Sequence, residues 1–383
     1  MPPTIPFLSL KHAHTPIRER LHECARRVID SGVYINGPEC ETFASELSEY
    51  LGLGKVVPVS NGLDAIRLIL RGYMEMGKLN EGDEVIVPAN TYIATVLPVT
   101  EFGLIPLLAA PDLSTYGIDW EAAEKLITPE TKALITVHLY GTPSWDFETA
   151  QRMRELGILL IEDNAQAIGA TVTDPLTRKE ISTGALGDAA AFSFYPTKNM
   201  GALGDAGAVA TTDNTLAATV KALANYGSTR RYYNEYNGYN CRMDEMQAAF
   251  LRLKLEMLEE TTQRRRENAQ AYNAGIRNPM VTVPEFKTDM KQVWHQYVVR
   301  SPLRDKIIKK LREEEIASDI HYPLSLFDQP CYSNGKIKLG RYGNAYGKAK
   351  KLASEVLSLP IADVTQREIK KITDIINNIS YYG

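Results

Sequence analysis

Short apolar runs alternate with amphipathic stretches between about residues 55 and 211 of this 383-residue chain. The runs are rich in Val, Ile and Leu, and the stretches between them carry apolar residues at helical spacing. Runs that are apolar at nearly every position predict strands buried on both faces, which is typical of a mostly parallel sheet between layers of helices. The candidate strands are KVVPVS, DEVIVPA, KALITVHLYG, ILLIEDNAQ, DAAAFSFYP and AGAVATTD.

The pattern changes near Met243. Residues 243–276 read as one long helix, apolar on one face in the first half and strongly charged in the second. Such a helix suits a chain that leaves one domain for another, and the shorter runs and helices after it predict a smaller α+β domain. We therefore expect a large α/β domain over residues 1–255 and a small C-terminal domain over residues 256–383.

Charge and cysteine content narrow the class of protein. The formal net charge is −4, which gives no reason to expect a nucleic-acid partner. The basic run Arg264, Arg265 and Arg266 lies among acidic residues and predicts a solvated helix face. Four cysteines are scattered without zinc-type spacing, so neither a metal site nor a disulfide framework is expected. With no signal peptide and no membrane-length apolar run, we expect a cytoplasmic protein without a membrane partner.

Candidate chemistry follows the strands, because ligands of open parallel sheets bind beyond the carboxyl ends of the strands. The segment Ser60-Asn61-Gly62-Leu63 follows the first strand and opens a helix. Free backbone N–H groups at a helix start can seat a phosphate, although an ordinary turn capped by Asn or Ser gives the same pattern. Asp163 ends another strand, where it could pair with a cationic ring nitrogen, cap a helix or form a structural salt bridge.

Lys198 is the third candidate, after the strand AFSFY and before a glycine-rich segment. Apolar surroundings lower the pKa of a lysine, so that a neutral amine can attack an aldehyde near pH 7. Taken alone, the residue would be read as a loop lysine with its ammonium in solvent. A phosphate seat, a carboxylate and a lysine after separate strands together match the needs of pyridoxal phosphate. Ser193 could add a hydroxyl to the phosphate, and Tyr92 could stack on the ring.

These residues stand in segments that resemble the sugar aminotransferases of the DegT/DnrJ/EryC1/StrS family over nearly the whole chain. The resemblance implies the aspartate-aminotransferase fold (fold type I) and pyridoxal 5'-phosphate as cofactor. Some relatives replace the lysine with histidine and catalyse dehydration, so Lys198 favours amino transfer. The segments that carry the resemblance include VSNGLDAIRL, GDEVIVPANTYIAT, IEDNAQAIGA, GDAAAFSFYPTKNMGALGDAGAV and GYNCRMDEMQAAFLRLKL.

The resemblance also implies a role for each site residue. Lys198 would hold the cofactor covalently and shuttle the proton, and Asp163 would pair with the pyridine nitrogen. The resemblance implies a homodimer with shared active sites, in which Asn240 reaches the phosphate bound by the other subunit. The expected cofactor contacts are Gly62, Leu63, Tyr92, Asp163, Gln166, Ser193, Lys198 and Asn240. The candidates for sugar contacts are Tyr34, His321 and Tyr322.

The expected reaction moves an amino group from glutamate to a nucleotide-linked keto-deoxysugar, and the NGLDA, NTYIAT and GYN variants look most like enzymes that aminate C3 of a dTDP-linked 3-keto-6-deoxyhexose. Three alternatives stay open at this point. The first is amination at C4 of a nucleotide-linked 4-ketosugar. The second is a non-catalytic regulator that binds the cofactor or a nucleotide sugar. The third is an aminotransferase of small amino acids, although no arginine can be assigned to a substrate carboxylate.

Overall fold

A computed structural model describes residues 3–334, 340–341 and 343–380. The ends of both expected domains, residues 1–2 and 381–383, therefore lie outside the described residues. The strands are β1 (Lys55–Val59), β2 (Glu84–Pro88), β3 (Ile105–Ala109), β4 (Thr131–Val137), β5 (Leu159–Asp163), β6 (Thr171–Thr173), β7 (Glu180–Ser182), β8 (Ala189–Ser193), β9 (Gly207–Thr211), β10 (Ser228–Arg230), β11 (Tyr233–Asn234), β12 (Met290–Lys291), β13 (Tyr297–Arg300) and β14 (Val356–Leu359).

The central sheet has seven strands in the described part of the chain, in the spatial order β1, β9, β8, β5, β4, β2 and β3. Strand β9 runs antiparallel to both of its neighbours, β1 and β8. The remaining pairs are parallel. The predicted sheet is thus confirmed as mostly parallel, and every predicted strand belongs to it.

Several helices of the described chain begin with a side-chain cap. The Asn61 side chain accepts from the Asp64 amide at 2.8 Å at the start of α4, and Thr365 forms a capping box at the start of α14. The α-helices are α1 (Leu10–His14), α2 (Arg18–Ser31), α3 (Pro38–Leu51), α4 (Gly62–Glu75), α5 (Leu97–Glu101), α6 (Trp120–Glu124), α7 (Phe147–Glu155), α8 (Asn214–Leu223), α9 (Glu245–Leu255), α10 (Leu258–Gly275), α11 (Arg304–Glu313), α12 (Pro330–Ser333), α13 (Ala345–Glu355) and α14 (Gln366–Asn377).

Both faces of the central sheet are covered. Alternate side chains of the strands point to opposite faces; Val85 and Val87 pack with α4 and α8, and Ile86 packs with the helices on the other face. The second face is also closed by Phe43 of α3 and Leu251 of α9. This burial explains why the strands are apolar at nearly every position.

The stretch over residues 243–276, predicted as one helix, is two helices, and the prediction of a single helix is wrong. α9 ends at Leu255 and α10 begins at Leu258. The apolar residues of the two parts serve different cores: Phe250 packs against α2, and Tyr272 packs in a second core with β13, β14, α11 and α14. The break lies where the chain passes from one core to the other.

The second core contains most of the apolar residues from α10 to the end of α14. Four described residues before the end of α13 are an exception, because they pack in the core of the central sheet: Leu326, Tyr332, Ala345 and Ala349. The division at residues 255/256 stays a prediction. In the described part of the chain, every helix is too short or too polar to cross a membrane.

Candidate active site

The candidate residues meet at the carboxyl ends of β5 and β8. Asp163 is the last residue of β5, and the loop that carries Lys198 leaves β8 after Ser193. Backbone bonds hold this loop: the Lys198 amide donates to Tyr195 O at 2.8 Å. Gly201 is required here, because a Cβ atom would lie 2.3 Å from the Pro196 carbonyl oxygen. The glycine-rich sequence therefore forms a tight turn that presents a single lysine.

The Lys198 side chain lies in surroundings that favour its neutral form. Burial lowers the pKa of its amine to about 8, and the nearby Asp163 carboxylate opposes this shift. A lysine with a pKa of about 8 has about a tenth of its amine in the neutral form at pH 7, far more than a lysine with the ordinary pKa of 10.5. The sequence-based prediction of a reactive amine at Lys198 agrees with this environment.

Asp163 is buried, with 6% of its surface exposed. Burial raises the pKa of its carboxyl group, and hydrogen bonds from the Thr95 hydroxyl at 2.7 Å and the Ala165 amide at 3.1 Å oppose the rise. The Lys198 amine contributes in the same direction as these donors. Asp163 accepts two hydrogen bonds from the described residues and has lone pairs left for a ligand.

Glu162 precedes Asp163 but faces the other side of the sheet. Its carboxylate is fully buried and accepts from the amides of Gly184, Leu186 and Gly187 at 2.6–2.8 Å. His138 Nε2 donates to it at 2.8 Å, because His138 Nδ1 accepts from the Ser144 amide and fixes the tautomer. The sequence shows both carboxylates, and the structure assigns Glu162 to the scaffold.

The expected phosphate seat is formed where α4 abuts the end of β8. A Cβ atom on Gly62 would lie 2.6 Å from the Ser193 Cβ atom, so only glycine allows this approach. The Gly62 and Leu63 amides belong to the first turn of α4, whose N–H groups have no partner within the helix. With the Ser193 hydroxyl, these amides are suited to hold an anion, and their role as a phosphate site stays a prediction.

A second group of site residues consists of aromatic and amide side chains near Asp163. Gln166 Nε2 donates to the Tyr322 hydroxyl at 3.0 Å, and Gln166 Oε1 accepts from the Tyr140 amide at 2.7 Å. The Tyr322 ring lies 5.2 Å from the ring of Tyr92, centroid to centroid. Tyr92 is half exposed, so its ring surface is free to stack on a bound group.

A cavity of about 460 Å³ opens beside Lys198, and of the expected cofactor contacts, all of them described, Lys198 alone lines it. A neighbouring cavity of about 380 Å³ shares Thr197 and Arg265 with the first and reaches His321. Burial lowers the pKa of His321, Asp319 opposes this effect, and Lys198 adds to it. The structure thus brings His321 and Tyr322 into the same region as Lys198.

Tyr34 and Asn240 stand apart from this group and are both exposed. The Tyr34 carbonyl accepts from the Glu245 amide, and Asn240 pairs with Asn225 in an isolated bridge. The role expected for Asn240 depends on a second copy of the chain, so it stays a prediction, as does the role of Tyr34.

Comparison with known proteins places this site in a family. The model of the DegT/DnrJ/EryC1/StrS aminotransferase family matches residues 16–379. The chain belongs to this family. The resemblance inferred from the sequence is confirmed, and so is the expectation of an aminotransferase.

Three similar proteins indicate how close these relatives are. A dTDP-3-amino-3,6-dideoxy-alpha-D-galactopyranose transaminase from Aneurinibacillus thermoaerophilus is 41% identical over 98% of this chain and 100% of its own length. The erythromycin biosynthesis sensory transduction protein EryC1 from Saccharopolyspora erythraea is 40% identical over 95% of this chain and 96% of its own. The structure of S. venezuelae DesV with a ketimine intermediate has a TM-score of 0.90 and 38% identity, with 98% of each chain covered.

These relatives confirm the fold class, a fold-type-I aminotransferase with a mostly parallel central sheet. They also show that the chain is related to aminotransferases of nucleotide sugars. In a member of this family, a lysine with a lowered pKa beside a buried aspartate is suited to covalent and proton-transfer chemistry.

Several residues of this aminotransferase site were not singled out from the sequence. Thr95, which holds Asp163, lies inside the quoted NTYIAT segment but carries no separate signal. Asn199 follows Lys198 and binds His295 Nδ1 at 3.1 Å and the Val293 carbonyl at 2.9 Å. These contacts tie the lysine loop to a segment nearly a hundred residues away, which local patterns do not reveal.

Arg265 corrects the expectation that the basic run forms a solvated face. Arg265 is buried, and its guanidinium donates to the carbonyls of Trp294 and His295 at 3.1 and 3.3 Å. Arg266 is half-buried, and of the three arginines only Arg264 is exposed. The face of α10 that carries Arg265 packs against the 294–295 segment, so helical position rather than charge decides its burial.

Proposed function

We propose that the chain transfers an amino group from glutamate to C3 of a dTDP-linked 3-keto-6-deoxyhexose, with pyridoxal 5'-phosphate as cofactor. The observation that carries the proposal is the Lys198 amine, with a pKa of about 8, near the buried Asp163 carboxylate. The names of similar proteins support this sugar, because three of them are transaminases named for dTDP-3-amino sugars.

The residues present fit this cofactor. The close approach of Gly62 to Ser193 and the free amides of α4 suit a phosphate, and the spare lone pairs of Asp163 suit a protonated ring nitrogen. Tyr92 would stack on the ring, and Gln166 would use its second N–H on the ring hydroxyl. When bound, the cofactor supplies an electron sink that makes the donor Cα–H acidic.

Lys198 would carry the proton transfers. Its Nζ atom, in the neutral form, accepts the Cα proton of the donor and later returns it. Burial supports this role, because a lysine with an ordinary pKa would be protonated near pH 7. His321 would contact the sugar from the neighbouring cavity, and Tyr322 would do so from its position beside Tyr92 and Gln166. Tyr34 would contact the sugar from the surface of the chain.

The proposed assembly is a homodimer with shared sites. Tyr34 and Asn240 are exposed in one copy of the chain, as expected for residues that complete another copy's site. A mixed dimer of Lys198→Ala and Asn240→Ala tests this arrangement. If sites are shared, mixing the two inactive variants restores part of the activity, because one of the two sites regains both residues.

The first experiment is an absorbance spectrum with added pyridoxal phosphate. We expect a band that depends on Lys198 and changes when glutamate is added, because the amino group passes to the cofactor. The Lys198→Ala variant should lack this band. A spectrum that is the same in both proteins would contradict the assignment of Lys198.

The substrate is tested next with dTDP-3-keto and dTDP-4-keto sugars. Amination at C3, detected by NMR of the product, supports the proposal, and a C4 product would select the alternative. A regulatory role is favoured by one observation, which is that the similar protein EryC1 is named a sensory transduction protein. Cofactor binding without turnover of any ketosugar would support that role.

A further inference from the structure

The cavity beside Lys198 is lined by basic side chains that have no role in the proposed cofactor chemistry. It is bounded by the N-terminal segment, the Lys198 loop, the α9–α10 junction and the segment before α14. Four lysine or arginine side chains and two carboxylates line it. The charged lining residues are Lys198, Lys254, Arg264, Arg265, Glu260 and Asp363.

Lys254 is the least compensated of these cations. Its ammonium donates to the Gly201 carbonyl and lies 2.9 Å from His14 Nε2. Among the described residues, no carboxylate forms an ion pair with it. Burial alone lowers its pKa to about 8. A half-buried lysine without an opposite charge is costly to the folded state unless an anion binds there.

Arg265 adds a second buried cation to the same cavity. One guanidinium nitrogen is held by the Trp294 and His295 carbonyls, which orients the group and leaves other N–H donors for a ligand. Within the described ranges, no carboxylate lies within ion-pair distance of this guanidinium. Asp363, the nearby acid, is exposed and accepts from the Ser9 amide at 3.2 Å.

The substrates of the proposed reaction carry the matching charge. A nucleotide-linked sugar bears a diphosphate next to the sugar, and glutamate bears a second carboxylate away from its amine. Each presents anionic oxygens at a distance from the atom that reacts. Both must reach Lys198, because the two half-reactions use the same amine.

We propose that the cavity between Lys198 and Lys254 is an anion subsite, in which Lys254 and Arg265 bind the charged end of a substrate while its reacting carbon lies at Lys198. The shared chemistry is an oxyanion group, either the diphosphate of the acceptor or the distal carboxylate of the donor. This inference rests on the proposed function for its ligands. Lys254 is a binding residue here and takes no part in proton transfer.

The test measures binding of two probes to the cofactor-loaded protein by calorimetry. Inorganic pyrophosphate represents the acceptor, and glutarate represents the donor. In Lys254→Gln we expect the affinity for at least one probe to fall about tenfold, the value of one lost charge-assisted hydrogen bond. Lys254→Arg should retain most of the affinity, because it keeps the charge.

Two further variants make the result interpretable. Lys132→Gln is the matched control, since Lys132 also donates to a backbone carbonyl, that of Pro129, but lies at the opposite end of the sheet. Arg264→Gln alters an exposed side chain and should fold normally, and its affinity should fall about threefold. Melting curves identify any variant that does not fold.

The outcomes separate cleanly. Loss of pyrophosphate affinity assigns the subsite to the acceptor, and loss of glutarate affinity assigns it to the donor; either result supports the proposal. Unchanged affinity for both probes in folded Lys254→Gln overturns it. A wild-type protein that binds pyrophosphate through Lys254 but aminates no dTDP-ketosugar would overturn the proposed function instead.

Discussion

Glu162 and Asp163 are adjacent carboxylates at the end of β5, and they differ in how completely they are bonded. Glu162 accepts from three backbone amides and His138. Asp163 accepts from the Thr95 hydroxyl and one amide, and it faces the Lys198 amine. Both are buried, so burial does not distinguish them. The two carboxylates differ in the number of lone pairs that no donor uses and in the group that each one faces.

This comparison separates a structural carboxylate from one available to a ligand. The donors around Glu162 stabilise its buried negative charge within the protein, so this carboxylate needs no ligand. The raised pKa of Asp163 indicates that the protein alone stabilises its charge poorly. A ligand that carries a positive charge would complete the Asp163 side, as the proposed cofactor does.

The largest expected effect is that of Lys198→Met. Transamination should fall by at least about a thousandfold, because general acid–base catalysis contributes factors of this order. The measurement is the single-turnover rate of the cofactor-loaded protein with glutamate. Residual turnover near the wild-type rate would show that another group carries the proton.

The same variant should make the cofactor-free protein more stable, and the gain depends on pH. The pKa of Lys198 is about 8 in the folded protein, below its ordinary value of 10.5. Below pH 8 both the folded and unfolded states carry the charge, so the folded state bears the full cost of burial. As the pH rises from 8 to 10.5 the folded state loses the proton first, and the gain shrinks. Urea unfolding at pH 7 and pH 10 measures it.

Glu162→Ala should act on stability rather than on chemistry. Removing one partner of a buried pair leaves His138 and three amides unsatisfied, so the free energy of unfolding should fall by about 3–5 kcal/mol. Denaturant unfolding of the wild type and the variant measures the change. Glu121→Ala is the matched control, because Glu121 is an exposed carboxylate on α6 that pairs with Lys125, and its stability should barely change.

Asp163→Asn should show the opposite behaviour. We expect the transamination rate to fall about a hundredfold, as when one preorganised electrostatic group is removed. The stability of the cofactor-free protein should not fall, because a neutral amide avoids the cost of burying the charge. A variant that lost several kcal/mol of stability would place Asp163 with Glu162 in the scaffold.

The sequence predicts most of the central sheet and the positions of Lys198 and Asp163. It does not show which of the two carboxylates has all its hydrogen bonds made within the protein. The apolar runs predict six strands of the central sheet, and the change of pattern near Met243 predicts a second part of the chain without locating the break at residues 256–257. Lys198 and Asp163 emerge because they follow strands whose ends meet. The donors of Glu162 come from residues 138 and 184–187, and only the folded chain brings them to one carboxylate.

The two wrong predictions, of one helix over residues 243–276 and of a solvated face at residues 264–266, also arise from contacts between distant segments. The periodicity of residues 243–276 continues through the break at 256–257, because helical spacing does not record which core each half joins. The basic run at residues 264–266 looks solvated because its neighbours are charged. Arg265 is buried because the segment just before β13 packs on the face of α10 that carries Arg265. This contact joins residues far apart in the sequence, so no local pattern predicts it.

The smallest expected effect is that of Thr95→Val, which removes one of the two donors to Asp163 and keeps the shape of the side chain. The Thr95 hydroxyl lowers the pKa of Asp163, so its loss should raise that pKa further. The affinity of the cofactor-free protein for pyridoxal phosphate should fall about fivefold, the value of one ordinary hydrogen bond.

The pH dependence identifies the cause of this loss. A higher pKa leaves less of Asp163 ionised at acid pH, so the affinity defect of Thr95→Val should be largest there and should shrink as the pH rises. Thr100→Val is the control, because the Thr100 hydroxyl donates to the Leu97 carbonyl and does not contact Asp163. A defect of equal size at every pH would mean that Thr95 acts by packing, and the contrast between Asp163 and Glu162 would then rest on Lys198 alone.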